Sequence, residues 1–198
     1  MVSAWENTIA NNNRADRTLN RVVGKPQSLL VQTPNGLKTV VRFNGSAALW
    51  QAVGSWGTLR GERTVAVFAR IPTEKSGTLF DGSTRVGSTP VKWKDGKWES
   101  SARIDSTTNR DDWRVHTFRF NAEDKPLGGF ILGANVATQE GLTCDVGEVL
   151  IYPRTLNDME IKDVVAYLQT KWGDPKELPA ELQPQAPQFF YDSRIFRA

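Results

Sequence analysis

An all-β fold is what this sequence predicts: two antiparallel sheets packed face to face, a jelly-roll sandwich, with one C-terminal helix laid on it. Three observations carry the expectation. Short segments rich in β-branched and aromatic residues recur at intervals of about ten residues, parted by Gly, Pro, Asn and Asp turns. One of them, Arg63–Ile71 (RTVAVFARI), is apolar on both faces, as a strand covered on two sides must be. Only one stretch, near the C-terminal end, sustains helical periodicity.

That stretch is fully punctuated. Asn157 is a strong N-cap, Glu160 completes a capping box with it, and Leu156 and Ile161 fit a hydrophobic staple. Ile161, Val164, Val165, Leu168 and Trp172 recur at spacings of three and four, one apolar stripe. Gly173 suits the position after the last turn, and Pro175 forbids continuation. A lone helix with a narrow stripe, in a chain of strands, must dock on a sheet.

In chain order, Ser3–Glu6 reads as a short strand before an Asn-rich loop. Leu29–Thr33 and Lys38–Asn44 read as strands joined by a turn at Pro34, Asn35 and Gly36. Ala47–Ala52 leads into a loop containing Trp56 between two glycines, and then comes the two-faced strand. Gly77–Asp81 and Pro90–Lys94 follow, and Asp95-Gly96 between VKWK and KWES is a hairpin signal. Trp93 and Trp98 flank that turn, placed either to pair across it or to expose two aromatic faces together. Trp113–Asn121 alternates, with Trp113, Val115, Thr117 and Arg119 on one face and His116, Phe118 and Phe120 on the other. Phe130–Gly133 and Gly147–Tyr152 complete the strands. Residues 1–173 form the expected domain. Residues 174–198 form a Pro- and Gln-rich arm with an aromatic end, either a docking segment or a linker.

Composition narrows the function. Hydrophobic residues make up 39% and charged residues 24%, an ordinary globular balance. No run reaches the roughly 18 apolar residues of a membrane span, and Met1 does not open a signal peptide. The net charge of +3 is dispersed, with no Lys/Arg block, so no nucleic-acid partner is expected. One cysteine, Cys144, excludes an intrachain disulfide and reads as a small core hydrophobe. Seven tryptophans are the unusual count, since an indole face is also a platform for the C–H face of a sugar.

Three segments resemble the concanavalin A-like lectin/glucanase superfamily, and specifically the laminin-G-like modules of multidomain bacterial proteins. VSAWEN with NNNRAD, residues 2–16, is similar to the family's opening motif without its Gly. TVVRFNGSAAL, residues 39–49, is similar to its V-V-R-F-D-G segment with Asn44 in place of Asp. ILGAN at 131–135 with GEVLIYPRTLNDMEIKDVVAYLQTKWG at 147–173 resembles its closing strand and helix. The resemblance implies the jelly roll, and in relatives of this kind a calcium ion at the sandwich rim. It also implies a first strand that this chain does not show, a place for which the tail from Phe189 is a candidate.

The superfamily includes glycosidases, whose retaining members need two carboxylates about 5–5.5 Å apart on one face. Asp145-Val146-Gly147-Glu148 is the nearest match, and its odd spacing puts the two acids on opposite faces of a regular strand. His116, the single histidine, lies mid-strand with no G-x-S-x-G elbow, so no catalytic role is expected for it. No spacing identifies a metal site; the loops at Asp81, Asp111 and Asp112, and Asn135 with Glu140, hold the only calcium candidates.

The expectation is therefore a non-catalytic recognition module for carbohydrate, accessory to a larger extracytoplasmic chain. Its partners are a glycan or a neighbouring domain. The expected contacts are Trp56, Trp93 and Trp98 for stacking and Asp81, Arg85 and Asn135 for hydroxyls, while Trp5, Trp50, Trp113 and Trp172 belong to the core. Two other readings stay open: a spacer or protein-interaction domain without a sugar ligand, and a glycosidase or its degenerate relative.

Overall fold

The computed structural model describes residues 21–51, 58–59, 61–72, 74–82, 89–105, 112–137 and 140–183. The strands in chain order are β1 (Arg21–Val23), β2 (Gln27–Thr33), β3 (Gly36–Asn44), β4 (Ala48–Gln51) and β5 (Thr58–Leu59). Then come β6 (Arg63–Arg70), β7 (Gly77–Asp81), β8 (Val91–Lys94), β9 (Lys97–Glu99) and β10 (Arg103–Asp105). The rest are β11 (Trp113–Phe120), β12 (Leu127–Gly128), β13 (Phe130–Leu132), β14 (Thr143–Tyr152), helix α1 (Asp158–Trp172) and β15 (Lys176–Glu177). One antiparallel sheet has the order β1-β4-β13-β7-β8-β9, the other β10-β11-β6-β14-β3-β2-β15, and β5 and β12 form a small third pair. Among the described residues the molecule is an all-β sandwich with one α-helix, followed by a 3-10 turn at Ala180–Leu182.

Strand alternation decides which side chain enters which layer. Val65, Val67 and Ala69 of β6 face the six-stranded sheet, joining Phe43, Phe118, Phe120, Val146, Val149, Leu79, Phe80 and Phe130 in the inter-sheet core. Ala66 and Phe68 face the other way, toward Ile161, Val164, Leu168 and Trp172 of α1. The two-faced β6 lies between β11 and β14, as its composition requires. Each of those helix residues is worth roughly 1.5–3 kcal/mol of apolar burial. A charged residue in place of Leu168, which is fully buried, would undock the helix.

Helix α1 begins and ends as its sequence dictates. The Asn157 side chain accepts from the Met159 and Glu160 N–H groups, and Glu160 accepts from the Asn157 N–H, closing the capping box. At the other end the Asn35 amide donates to the carbonyls of Thr170 (2.7 Å) and Lys171 (3.1 Å), so the β2–β3 turn grips the last turn. Gly173 has φ +60, and a Cβ there would stand 2.6 Å from the Pro34 ring; only glycine fits.

Two features depart from the sequence reading. Strand β14 starts at Thr143, four residues earlier than expected, and carries a bulge at Gly147 between the pairs Val146–Ala69 and Glu148–Phe68. The free edge of β2 is covered by β15 and by Gln183, whose side-chain amide pairs with the Leu30 N–H (2.8 Å) and carbonyl (3.0 Å) like a strand residue. Residues 176–183 thus pair with the β2 edge, while the tail from Phe189, the candidate for the place of a first strand, lies outside the described residues.

Candidate functional site: a groove beside Trp113

Outside the seven-stranded sheet three aromatic rings stand in a row. Phe68 stacks on Trp113 (centroids 5.2 Å apart, 11° between planes) and on Trp172 (5.4 Å, 21°). The row exists because β6 and β11 place Phe68 and Trp113 on their outer faces and because Gly147 offers no side chain. A Cβ there would come within 3.1 Å of the Trp172 ring. Trp172 is buried, while Trp113 at the other end is only partly covered. Trp113 was expected in the core; it packs on one instead.

Trp113 opens onto a groove of about 750 Å³ between α1 and the β10–β11 edge. Phe68, Val115, Val165 and Ile104 give it apolar walls, and Asp105, Asp112, Arg114, Gln169 and Asp174 bring polar groups to it. Its acids have partners of their own. Asp105 forms an ion pair with Arg119 (2.6 Å), Asp112 pairs with Arg114 (3.3 Å), and Asp174 pairs with Lys176. An aromatic ring beside carboxylate and amide acceptors is what a hydroxyl-rich, partly apolar ligand needs.

The bulge also changes the reading of the β14 acids. It turns Asp145 and Glu148 to the same outer face, contrary to their spacing on a regular strand: Asp145 pairs opposite Arg70 and Glu148 opposite Phe68. Both are occupied. Glu148, fully buried, accepts from Trp172 Nε1 (2.8 Å) and Lys171 Nζ (2.6 Å). Asp145 accepts from Arg42 Nε (2.7 Å) and Arg70 Nη2 (2.5 Å). They anchor helix and strands.

The residues expected to meet a ligand fare differently. Trp93 is 5% exposed and belongs to the inter-sheet core. It pairs across the hairpin with Trp98, ring edge to face at 4.9 Å, and Trp98 packs in turn on His116 (5.2 Å) and Phe118 (5.1 Å). Of the two arrangements open to this pair, the inward one holds, so the Trp93 face is closed to a surface ligand. Trp56 and Arg85 lie outside the described residues. Asp81 is buried beneath the rim, where its carboxylate accepts from the backbone N–H groups of Gly82 (2.7 Å), Thr89 (2.7 Å) and Val136 (3.1 Å). A carboxylate ringed by N–H donors ties loops together; their dipoles oppose a cation there. Asn135, beside Val136 on the same rim, donates to Glu140, which also accepts from Lys92 (2.6 Å). The Lys92 ammonium holds the Glu140 carboxyl below the usual carboxylate range. Among the described residues no cluster of three or more His, Cys, Asp or Glu side chains could hold a metal ion.

The nucleophile candidates are placed for structure. Burial, with Arg114 nearby, pushes His116 down to about 4, so it is neutral at pH 7. Burial, with Asp145 beside it, pushes the Cys144 thiol up, which keeps it protonated.

Comparison with family models, with curated proteins and with solved structures gave no match to this chain. The groove was missed in the sequence because Trp113 alternates like any core residue. The available signal was its place as the first residue of a strand whose outer neighbours, Thr117 and Arg119, turn polar.

Proposed function

We propose that this sandwich is a non-catalytic recognition module of the laminin-G-like kind, that its ligand is carbohydrate, and that the groove beside Trp113 is where the ligand lies. The observation that carries this reading is a partly exposed indole, braced on Phe68, in an open groove of about 750 Å³ with polar groups along it. A sugar ring stacks its C–H face on Trp113, and Asp105, Asp112, Arg114 and Gln169 select its hydroxyl pattern. The commitment of Asp145 and Glu148 to cations favours binding over hydrolysis, since a nucleophile and an acid must be free to face substrate. As an accessory domain it would work outside the cytoplasm, attached to a longer chain.

A broad glycan array probed with the protein and with Trp113→Ala tests the reading. We expect binding to a restricted set of glycans that the substitution abolishes. Binding of no glycan would leave the spacer role, and hydrolysis of a bound β-glucan that Glu148→Gln stops would restore the enzyme.

A further inference from the structure

Arg70 lines one cavity and stands beside a residue that lines another. Its guanidinium carbon lies 5.7 Å from the centre of the Trp113 ring. The same side chain, with Arg42, Pro72, Thr143, Cys144 and Asp145, walls a second cavity of about 400 Å³. Arg70 therefore stands between Trp113, which lines the groove, and this second cavity.

Arg42 and Arg70 share two carboxylates of different character. Asp145 is deeply held, its side chain 7% exposed, with both oxygens engaged by the two guanidinium groups. Glu177 is 37% exposed and reaches in from the two-residue strand β15, with its Oε2 at 2.8 Å from Arg42 Nη2 and 3.4 Å from Arg70 Nη2, and its Oε1 at 3.3 Å from Arg42 Nη1. Asp145 neutralises one arginine; Glu177 neutralises the other. Exposed ion pairs of the second kind add little to stability and exchange readily, whereas a pair of guanidinium forks is an outstanding receptor for a planar carboxylate.

We infer that Glu177 keeps the place of a ligand carboxylate, and that the glycan carries uronic acid: one ring stacks on Trp113 while a carboxylate of the same chain displaces Glu177 from Arg42 and Arg70. The exchange conserves charge at the two arginines. Asp105, Asp112 and Asp174 in the groove are already paired, so they serve the ligand's hydroxyls, and its acid group is met at the Arg70 end. This inference rests on the carbohydrate reading above and adds the ligand class.

Calorimetric titration of the complete chain with oligogalacturonate, alginate and hyaluronate oligosaccharides, each beside its carboxyl methyl ester, tests it. At least one acid is expected to bind tenfold or more tightly than its ester. Glu177→Gln should tighten that acid severalfold without changing the ester, Arg70→Gln should abolish the preference, and Trp113→Ala should weaken both. Equal affinity of acids and esters, or an acid affinity that Glu177→Gln leaves unchanged or lowers, overturns the inference. Trp113-dependent binding of esters or neutral glycans would in that case leave the carbohydrate reading standing, and absence of all glycan binding would remove both.

Discussion

The seven-stranded sheet has tryptophans on both sides, and they do opposite things. Inside the sandwich Trp93 and Trp98 meet edge to face and close against His116 and Phe118. Outside it Trp172 and Trp113 lie flat against Phe68, one under the helix and one at a groove. In the edge-to-face cluster Trp93 is buried in the inter-sheet core, and the partly buried Trp98 packs against it. The flat row ends on Trp113, a ring that is only partly covered and that lines the groove. Polar edges follow the same division. Trp172 Nε1 donates to Glu148, whereas the Trp93 and Trp98 N–H groups are buried without a hydrogen-bond partner among the described residues.

The largest expected effects come from rings closed on every side. Trp93→Ala and Phe68→Ala should each cost about 3–5 kcal/mol in urea unfolding, because each leaves a cavity in a packed cluster. Trp113→Ala, at the open end of the row, should cost only about 1 kcal/mol, the worth of one aromatic pair. Equal losses for Trp113 and Trp93 would erase the distinction between inner and outer rings.

Acid should attack the inner cluster first. His116 titrates near 6.5 when unfolded and about 4 in the fold, so the unfolded chain takes up its proton first as pH falls. Stability present above pH 6.5 should therefore be lost between about 6.5 and 4, by roughly 3 kcal/mol. His116→Phe should flatten the dependence of the unfolding midpoint in that window, and an unchanged slope would show that the imidazole is not the buried base.

The smallest effect lies at the helix that roofs the outer row. Asn157→Ala removes the acceptor for two N–H groups and should cost about 1 kcal/mol. Glu160, held down to about 2 by Arg154 and the Asn157 N–H, keeps its half of the box charged at neutral pH. Its contribution is present above about pH 4.5 and is lost as pH falls toward 2. Thermal melts of Glu160→Gln should lie below those of the parent protein at pH 7 and approach them at pH 2.5.

Local chemistry made much of this fold readable. The Asn157–Glu160 box, the Asp95-Gly96 turn and the two-faced β6 each follow from a few neighbouring residues, and each stands where the sequence put it. What escaped is non-local. The bulge at Gly147 is a matter of register against β6, and one unpaired residue was enough to bring Asp145 and Glu148 to one face. The β15 edge pairing joins residues about 145 apart in the chain and has no pattern of its own beyond two polar residues. The candidate site was the least legible part: Trp93 and Trp113 both alternate correctly, and only the packing of the two sheets and of α1 shows that one is buried and the other partly covered.

The most direct test of this account is glycan binding by Trp113→Ala beside Trp98→Ala, with both variants shown to be folded by their unfolding transitions. The outer substitution is expected to abolish binding, and the inner one to lower stability while sparing affinity. Loss of binding with Trp98→Ala and not with Trp113→Ala would contradict it.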